Sequence, residues 1–310
     1  TPAVRDIDFH GIRLRVTCPL PRVQNAIDDL FAEFAVPDAP GAEINIDVAA
    51  IADPEIAGDR LPPAASLLYS NRLRSPESSR VLGLEFDVFR TPEAVFVDLG
   101  PKGMMIFDLN ASRAEILLAD DASIHVDILG SLLVYTLSEL VKPRDMRLVH
   151  AAAVAIDGRV VIIPGTQGRG KTTTCLSLVA DGFGFLSDDV IFLRNCADLI
   201  EVCALPEHVS VTEKTIGMFP ELRERAGRLT QGLLKQHVRM DDLFPGRIVM
   251  SGSPAIILFP EVTGETSSHL EPIARPRALE LLLPRGISVL DRADSARNFQ
   301  MLSRLVAQCA

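Results

Sequence analysis

The stretch that decides the fold of this 310-residue chain is Gly165-Thr166-Gln167-Gly168-Arg169-Gly170-Lys171-Thr172. It fits the pattern G-x-x-x-x-G-K-[ST], in which glycines let successive backbone N–H groups turn toward a phosphate. In this pattern the lysine neutralises phosphate charge, and the hydroxyl beside it ligates Mg²⁺ at a helix N-terminus that already attracts anions. The stretch, extended to Thr173, therefore predicts a phosphate-binding loop.

The flanking residues have the order strand, loop, helix. Two apolar runs, Leu148–Ile156 and Arg159–Ile163, are joined by Asp157-Gly158, a dipeptide typical of hairpin turns. The stretch Thr172–Ala180 after the loop is rich in helix formers. This is the context that a phosphate-binding loop requires, and a Gly-rich turn with an exposed lysine is the alternative interpretation.

Two carboxylates end the next apolar run. Asp188 and Asp189 follow Phe185-Leu186, and the first of them lies only 17 positions after Lys171. Carboxylates at a strand tip beside such a loop are suited to hold Mg²⁺ or to accept a proton from an attacking hydroxyl. Adjacent strand residues point to opposite faces, so the two share one role only if the strand ends there. An acidic turn is the alternative.

A histidine, His150, lies on the apolar run before the Asp157-Gly158 turn, followed by three alanines. A lone histidine in such a run is more often a satisfied core residue than a catalytic one. The hairpin nevertheless returns the chain from His150 directly to the loop, so the residues alone leave both interpretations open.

The composition excludes several classes of protein. The chain has 31 Lys and Arg against 41 Asp and Glu, a net charge of −10, and 47% hydrophobic residues. Residues 1–149 carry 14 basic and 23 acidic side chains, a net of −9, whereas residues 150–310 carry 17 and 18, a net of −1. Such acidity argues against a nucleic-acid partner and makes the second half the better host for an anionic ligand.

The scattered cysteines and the lack of a recognisable targeting segment predict a protein of the reducing cytoplasm. The five cysteines are scattered and lack C-x-x-C spacing. No apolar run reaches the roughly 18–20 residues of a membrane helix, and the N-terminus lacks the pattern of a signal peptide. The sequence therefore predicts a cytoplasmic protein without a membrane partner.

The first half of the chain predicts a β-rich domain. Residues 4–16 alternate around His10-Gly11, as in a β-hairpin, and Val23–Phe34 has helical spacing. Residues 81–118 contain several period-2 stretches, typical of an antiparallel meander, and Ile124–Val141 is helical up to Pro143. We therefore expect a mostly antiparallel β-rich domain of α+β type over residues 1–145.

The second half, residues 146–310, predicts an α/β domain with a mixed sheet. Further strands are expected over Val190–Leu193 and Ala255–Phe259, and further helices over Ala278–Leu283 and Ala296–Cys309.

Three elements together resemble the C-terminal catalytic domain of HPr kinase/phosphorylase and its HprK-related relatives: Leu148-Val149-His150 with its hairpin, the loop Gly165–Thr173, and Phe185–Val190. Phosphoenolpyruvate carboxykinases share more distantly the pattern of a P-loop closely followed by paired aspartates. In most other P-loop proteins the acidic residue that serves the metal lies much further along the chain from the loop. The resemblance is specific over Met146–Arg194 and diffuse from there to Ala310.

The resemblance implies a P-loop kinase that uses ATP and Mg²⁺ to phosphorylate a serine or similar hydroxyl. It implies that Asp188 takes the hydroxyl proton, that Asp189 and Thr172 lie at the metal, and that His150 and Lys171 complete the catalytic cluster. The bifunctional enzymes carry a Glu-x-Arg-Gly signature, to which Glu213–Gly217 is the nearest match, without Arg-Gly. Glu213 is expected as a further metal ligand, with a solvated charged pair as the alternative.

The phosphate acceptor is expected to be a protein, a peptide or a small molecule. The first half of the chain either recognises it, or completes the fold or a homo-oligomer interface. Two other functions are weighed: a nucleotide-binding regulatory or assembly module without turnover, and a carboxykinase-like phosphoryl transfer. Lys235, His237 and Arg239 are candidates for a phosphate contact, with a solvated loop as the alternative.

Overall fold

The structure of the protein is a computed structural model. It describes residues 2–37, 41–53, 58–70, 84–119, 124–165, 168–197, 199–206, 208–219, 236–263, 267–286 and 292–309. Over these ranges the chain is a mixed α/β protein with two mixed sheets, a small two-stranded sheet and seven α-helices. It divides into two compact units: the first comprises the residues up to Arg144 together with Arg292, and the second comprises the other residues from Asp145 onward. None of the helices in these ranges combines the length and the apolar character needed to cross a membrane.

A nine-stranded sheet forms the first unit. Its strands are β1 (Ala3–Phe9), β2 (Ile12–Cys18), β3 (Ala35–Val36), β4 (Ile44–Ala50), β5 (Ser66–Ser70), β6 (Asp87–Arg90), β7 (Ala94–Asp98), β8 (Gly103–Asp108) and β9 (Arg113–Leu118). Their order across the sheet is β3-β1-β2-β4-β9-β8-β7-β6-β5. The expected hairpin is confirmed as β1–β2, whose turn residues His10 and Gly11 both have positive φ.

The meander is also confirmed, since β6 to β9 pair antiparallel in succession. The sheet is nevertheless mixed, because β4 pairs in parallel with both β2 and β9. Strand β4 lies in a segment, residues 37–79, that is rich in Pro, Ala and Ser and for which no element is predicted, although Ile44, Ile46 and Val48 alternate with other residues and are buried.

Two helices lie together against this sheet. Helix α1 (Pro21–Leu30) buries Val23, Ile27 and Leu30, and contacts helix α2 (Val126–Val141), which also contacts β8 and β9. Pro21 suits the first position of α1 because its missing N–H would have no helical partner there. The predicted helices thus form, and the first of them ends in a 3-10 turn at Ala32–Phe34.

A seven-stranded sheet forms the second unit. Its strands are β10 (Met146–Val149), β11 (Ala151–Ile156), β12 (Arg159–Pro164), β13 (Gly184–Ser187), β14 (Ile191–Cys196), β15 (Leu199–Ala204) and β18 (Ser251–Ile257). Their order is β10-β14-β15-β18-β12-β11-β13, and only β12 and β18 pair in parallel. Strands β16 (Val209–Val211) and β17 (Gln236–Val238) form the small antiparallel sheet.

The seven-stranded sheet is strongly curled. Strands β13 and β14 stand near opposite ends of the order, yet only Asp188–Val190 joins them, a link that spans at most roughly 14 Å. Strand β18 connects the part of the sheet formed by β10, β14 and β15 to the part formed by β12, β11 and β13. Ser251 and Gly252 pair with β15, whereas Ser253 and the residues after it pair with β12. The curl brings the β10–β14 pair close to the β11–β13 pair.

The run Leu148–Ile156 is therefore two strands, which corrects the single strand expected from the sequence. His150 alone joins β10, which pairs with β14, to β11, which pairs with β12 and β13. Its backbone N–H donates instead to the carbonyl of Arg285, at an N···O distance of 2.9 Å. Apolar periodicity cannot reveal this break, because both strands are buried.

Helices cover both faces of β11. The remaining helices are α3 (Lys171–Ala180), α4 (Glu213–Met218), α5 (Met240–Leu243), α6 (Arg275–Gly286) and α7 (Arg292–Gln308). Ala152 and Val154 pack in one core with α3, whereas Ala151 and Ala153 pack in the other with α6 and α7. Successive strand residues point to opposite faces, which explains why the three alanines serve two cores.

Candidate active site

The loop after β12 has the backbone of a phosphate cradle. Gly168 and Gly170 have φ of +85° and +94°, conformations that a side chain disfavours, and helix α3 begins immediately afterwards at Lys171. The first N–H groups of a helix have no partner within it, so they are available to an anion. Thr166 and Gln167, also expected in the loop, lie outside the described residues. Thr173 lies in the first turn of α3.

The strand order brings three distant parts of the chain to one edge of the sheet. Strand β11 lies between β12 and β13 and is antiparallel to both, so the ends of β12 and β13 flank its beginning. The loop follows the end of β12, the two aspartates follow the end of β13, and His150 precedes β11. All three therefore meet at this edge of the sheet.

Lys171 is the centre of the first group of contacts. Its Nζ donates to Oδ1 of Asp189 at 2.6 Å and lies 3.3 Å from Nε2 of His150. The same His150 nitrogen lies 3.5 Å from Oδ1 of Asp189. The lysine side chain is only 10% exposed, whereas those of His150 and Asp189 are 39% and 53% exposed. The group therefore has a buried cation and two partners that reach solvent.

Thr172 and Asp188 form the second group. The Thr172 hydroxyl donates to Oδ2 of Asp188 at 3.1 Å, and Asp188 is buried, with 4% of its surface exposed. The two aspartates thus contact different residues: Asp188 contacts the Thr172 hydroxyl, and Asp189 contacts the Lys171 ammonium. Strand β13 ends at Ser187, which meets the condition under which neighbouring carboxylates serve one site.

Ser187 shapes the turn that carries the aspartates. Its Oγ accepts hydrogen bonds from the backbone N–H groups of Asp189 and Val190, at 3.4 and 3.2 Å. This role was not predicted from the sequence, although a serine before a polar turn is a recognised signal for such bonds. Nearby, burial and then the Asp188 charge raise the pKa of the Cys175 thiol well above its ordinary value.

A second missed element lies beside the phosphate loop. Arg169 pairs with Glu261 at 3.1 Å, and a Cβ added to Gly170 would lie 3.3 Å from Cγ2 of Val262. These residues follow β18, whose parallel pairing with β12 directs its end to the same edge. Strand pairing is a tertiary property, so the sequence offered no signal beyond Pro260 as the end of an apolar run.

Glu213 does not join a metal cluster in the described structure. It is exposed at the start of α4, where Thr212 caps the helix by accepting from the N–H of Thr215. No group of three or more His, Cys, Asp or Glu side chains within the described ranges is arranged to hold a metal. Its role as a ligand stays a prediction.

The other basic candidates lie on or beside β17 and α5. His237 lies on β17, with its ring centroid 6.5 Å from that of His208, and Arg239 precedes α5. Lys235 lies outside the described residues.

Comparison with solved structures shows only weak similarity. No protein-family model matches the chain. The structure of the Hpr(Ser) kinase/phosphatase from Coxiella burnetii matches with 19% sequence identity and a TM-score of 0.27, over 36% of this chain and 64% of that one. The matched region therefore spans less than two thirds of that protein. We base the function on the contacts described above.

Proposed function

We propose that the protein is a Mg²⁺-dependent phosphotransferase that moves the γ-phosphoryl group of ATP to a hydroxyl of a protein, peptide or small molecule. One observation carries the proposal: His150, the phosphate loop and the aspartate pair, distant in sequence, meet at one sheet edge with side-chain contacts of 2.6 to 3.5 Å. Phosphoryl transfer requires little more than positioning and charge stabilisation, which these residue types supply.

The loop and Lys171 would bind the nucleotide. The N–H groups at the start of α3 are suited to the phosphate oxygens, and the ammonium of Lys171 lies within the same site. Because Lys171 is nearly buried, its charge acts through little water and is stronger at short range than an exposed lysine's.

Thr172 and Asp188 are the residues that fit a magnesium ion. A hydroxyl and a buried carboxylate 3.1 Å apart are two hard oxygen donors, and Mg²⁺ usually takes one or two protein ligands and completes its shell with phosphates and water. When bound, the ion would neutralise charge on the phosphates. This division exchanges the roles that the resemblance implies for the two aspartates.

Asp189 is the better candidate for the base. Its half-exposed side chain is accessible to an acceptor hydroxyl, whereas Asp188 is 4% exposed. In the proposed step the hydroxyl oxygen bonds to the γ-phosphorus, the bond to the β–γ bridging oxygen breaks, and ADP leaves. The hydroxyl proton passes to Asp189, while His150, whose Nε2 lies 3.5 Å from Oδ1 of Asp189, orients that carboxylate.

The test starts with calorimetry of ATP binding with and without Mg²⁺. A lysate treated to remove endogenous nucleotides is then incubated with the protein and γ-labelled ATP, and labelled products are identified by mass spectrometry. We expect Mg²⁺-dependent binding and a phosphorylated hydroxyl that is lost with Asp189→Asn and with Lys171→Ala.

Three outcomes would contradict the proposal. ATP binding without transfer or hydrolysis would favour a regulatory or assembly module, and label on an enolate would favour a carboxykinase-like reaction. Full transfer by both variants would remove the proposed mechanism.

A further inference from the structure

His150 is attached to the C-terminal helices through its backbone. Its N–H donates to the carbonyl of Arg285 at 2.9 Å, near the end of α6. The last carbonyls of a helix have no partner within the helix, so this bond satisfies one of them and at the same time holds the residue between β10 and β11.

A buried ion pair connects the same strand to the next helix. Nη1 of Arg147 on β10 lies 3.2 Å from Oδ1 of Asp294 on α7, and the two side chains are only 4% and 13% exposed. Asn298, one turn further along α7, is also buried, with 3% of its surface exposed. Desolvation offsets much of the attraction within a buried ion pair. Such a pair is therefore retained mainly where it fixes a particular geometry.

Close packing limits movement at the junction. A Cβ added to Gly286, at the end of α6, would lie 3.1 Å from Leu302 of α7 and 3.4 Å from Val149 of β10. Val149, Leu282 and Leu302 belong to one buried core. The end of α6, the middle of α7 and the end of β10 are therefore tightly packed against one another.

We propose that the C-terminal helices position His150 against Lys171 and Asp189, with Arg147 and Asp294 as positioning residues. A displacement of β10 would move an imidazole whose Nε2 is 3.3 Å from the Lys171 ammonium and 3.5 Å from the Asp189 carboxylate. The catalytic consequence of this placement rests on the proposed function, but the placement itself does not.

The first test measures the placement without catalysis. Hydrogen exchange is followed by mass spectrometry on peptides that cover Arg147–Ala151 and the end of α6. Asp294→Asn is compared with Arg304→Met, because Arg304 holds the other end of α7 through bonds to Asn195 and Ala197 at 2.8 and 2.9 Å. We expect at least tenfold faster exchange at His150 in Asp294→Asn and less than twofold in Arg304→Met.

The second test measures the consequence for catalysis. ADP formation is followed in Asp294→Asn, in His150→Ala and in the double variant. We expect Asp294→Asn to lower kcat about tenfold with the KM for ATP changed less than twofold, and to have no further effect once His150 is alanine. Arg304→Met should keep kcat within twofold of the wild-type value, even if its Tm decreases as much as that of Asp294→Asn. Asp294→Glu should retain part of the rate that Asp294→Asn loses.

Unchanged exchange at His150 in Asp294→Asn would overturn the inference, as would equal rate losses with and without His150. If the wild-type protein binds no ATP, the proposed function fails, and the exchange experiment still decides the placement. Should Asp294→Asn not fold, Arg147→Lys takes its place with the same expectations.

Discussion

Nζ of Lys171 lies 2.6 Å from Oδ1 of Asp189, although a helix and a strand separate the two residues in sequence. The carboxylate takes one of the three N–H donors of the lysine, and its side chain is 53% exposed, whereas that of the lysine is 10% exposed. We therefore expect the phosphates of ATP to compete with this carboxylate for the ammonium.

This competition predicts an increase in nucleotide affinity when the carboxylate is removed. Asp189→Asn keeps the shape of the side chain but removes its charge, so ATP should bind several-fold more tightly in the absence of Mg²⁺, as measured by calorimetry. Asp157→Asn makes the same charge change at the far end of the β11–β12 hairpin and should leave the affinity unchanged. Weaker binding by Asp189→Asn would show that the carboxylate does not compete with phosphate.

The hydroxyl of Thr172 predicts a loss of stability that a serine prevents. Thr172→Val removes the donor to the buried Asp188 carboxylate and should lower the free energy of unfolding by about 1–3 kcal/mol in urea titrations. Thr172→Ser retains the hydroxyl and should unfold near the wild-type urea concentration. The valine variant should also lose the Mg²⁺-dependent gain in ATP affinity; retention of that gain would exclude Thr172 as a ligand.

Gly170 and Gly158 provide a matched pair of glycines with positive φ. Alanine at either position should destabilise the fold by about 1–2 kcal/mol, because φ is +94° and +73°. Only Gly170→Ala should weaken ATP binding, since its Cβ would lie 3.3 Å from Val262, whereas a Cβ at Gly158 has no neighbour within 4 Å. Equal ATP affinities of the two variants would contradict the assignment of the phosphate cradle.

Buried thiols predict a loss of stability at alkaline pH. Burial raises the pKa of Cys203 from 9.0 to about 12 and that of Cys309 from 9.0 to about 11. Above pH 9 the unfolded chain releases protons that the folded chain retains, so stability is full below this pH and falls as the pH rises toward 11–12. Each such thiol contributes a slope of about 1.4 kcal/mol per pH unit.

Cys203→Ala should reduce this slope by one thiol's share in urea titrations between pH 9 and 11. Val202→Ala changes the neighbouring buried position of the same strand without removing a titrating group, so it serves as the control and should leave the slope unaltered. A slope that is the same in wild type and Cys203→Ala would mean that this thiol is not protected in the folded state.

The sequence alone determined the features that depend on residues close together in the chain. Turn dipeptides predicted the hairpins at His10-Gly11 and Asp157-Gly158. The spacing of apolar residues and the helix-forming residue types predicted α2 and α3. The phosphate-loop pattern could be recognised because its glycines and its lysine act within one short segment. Lys171, Thr172, Asp188 and Asp189 were likewise named from their types and spacing. For His150 the residues left two interpretations open, and the resemblance to the HprK-related kinases implied the catalytic one.

Only the tertiary structure decided which of these five residues contact one another. Asp188 meets Thr172 and Asp189 meets Lys171 because β13 ends at Ser187, and His150 joins them because β10 and β11 separate there. Strand order, the parallel β12–β18 pair and the curl of the sheet bring these contacts about. Each depends on burial between residues far apart in the chain, which local periodicity does not encode.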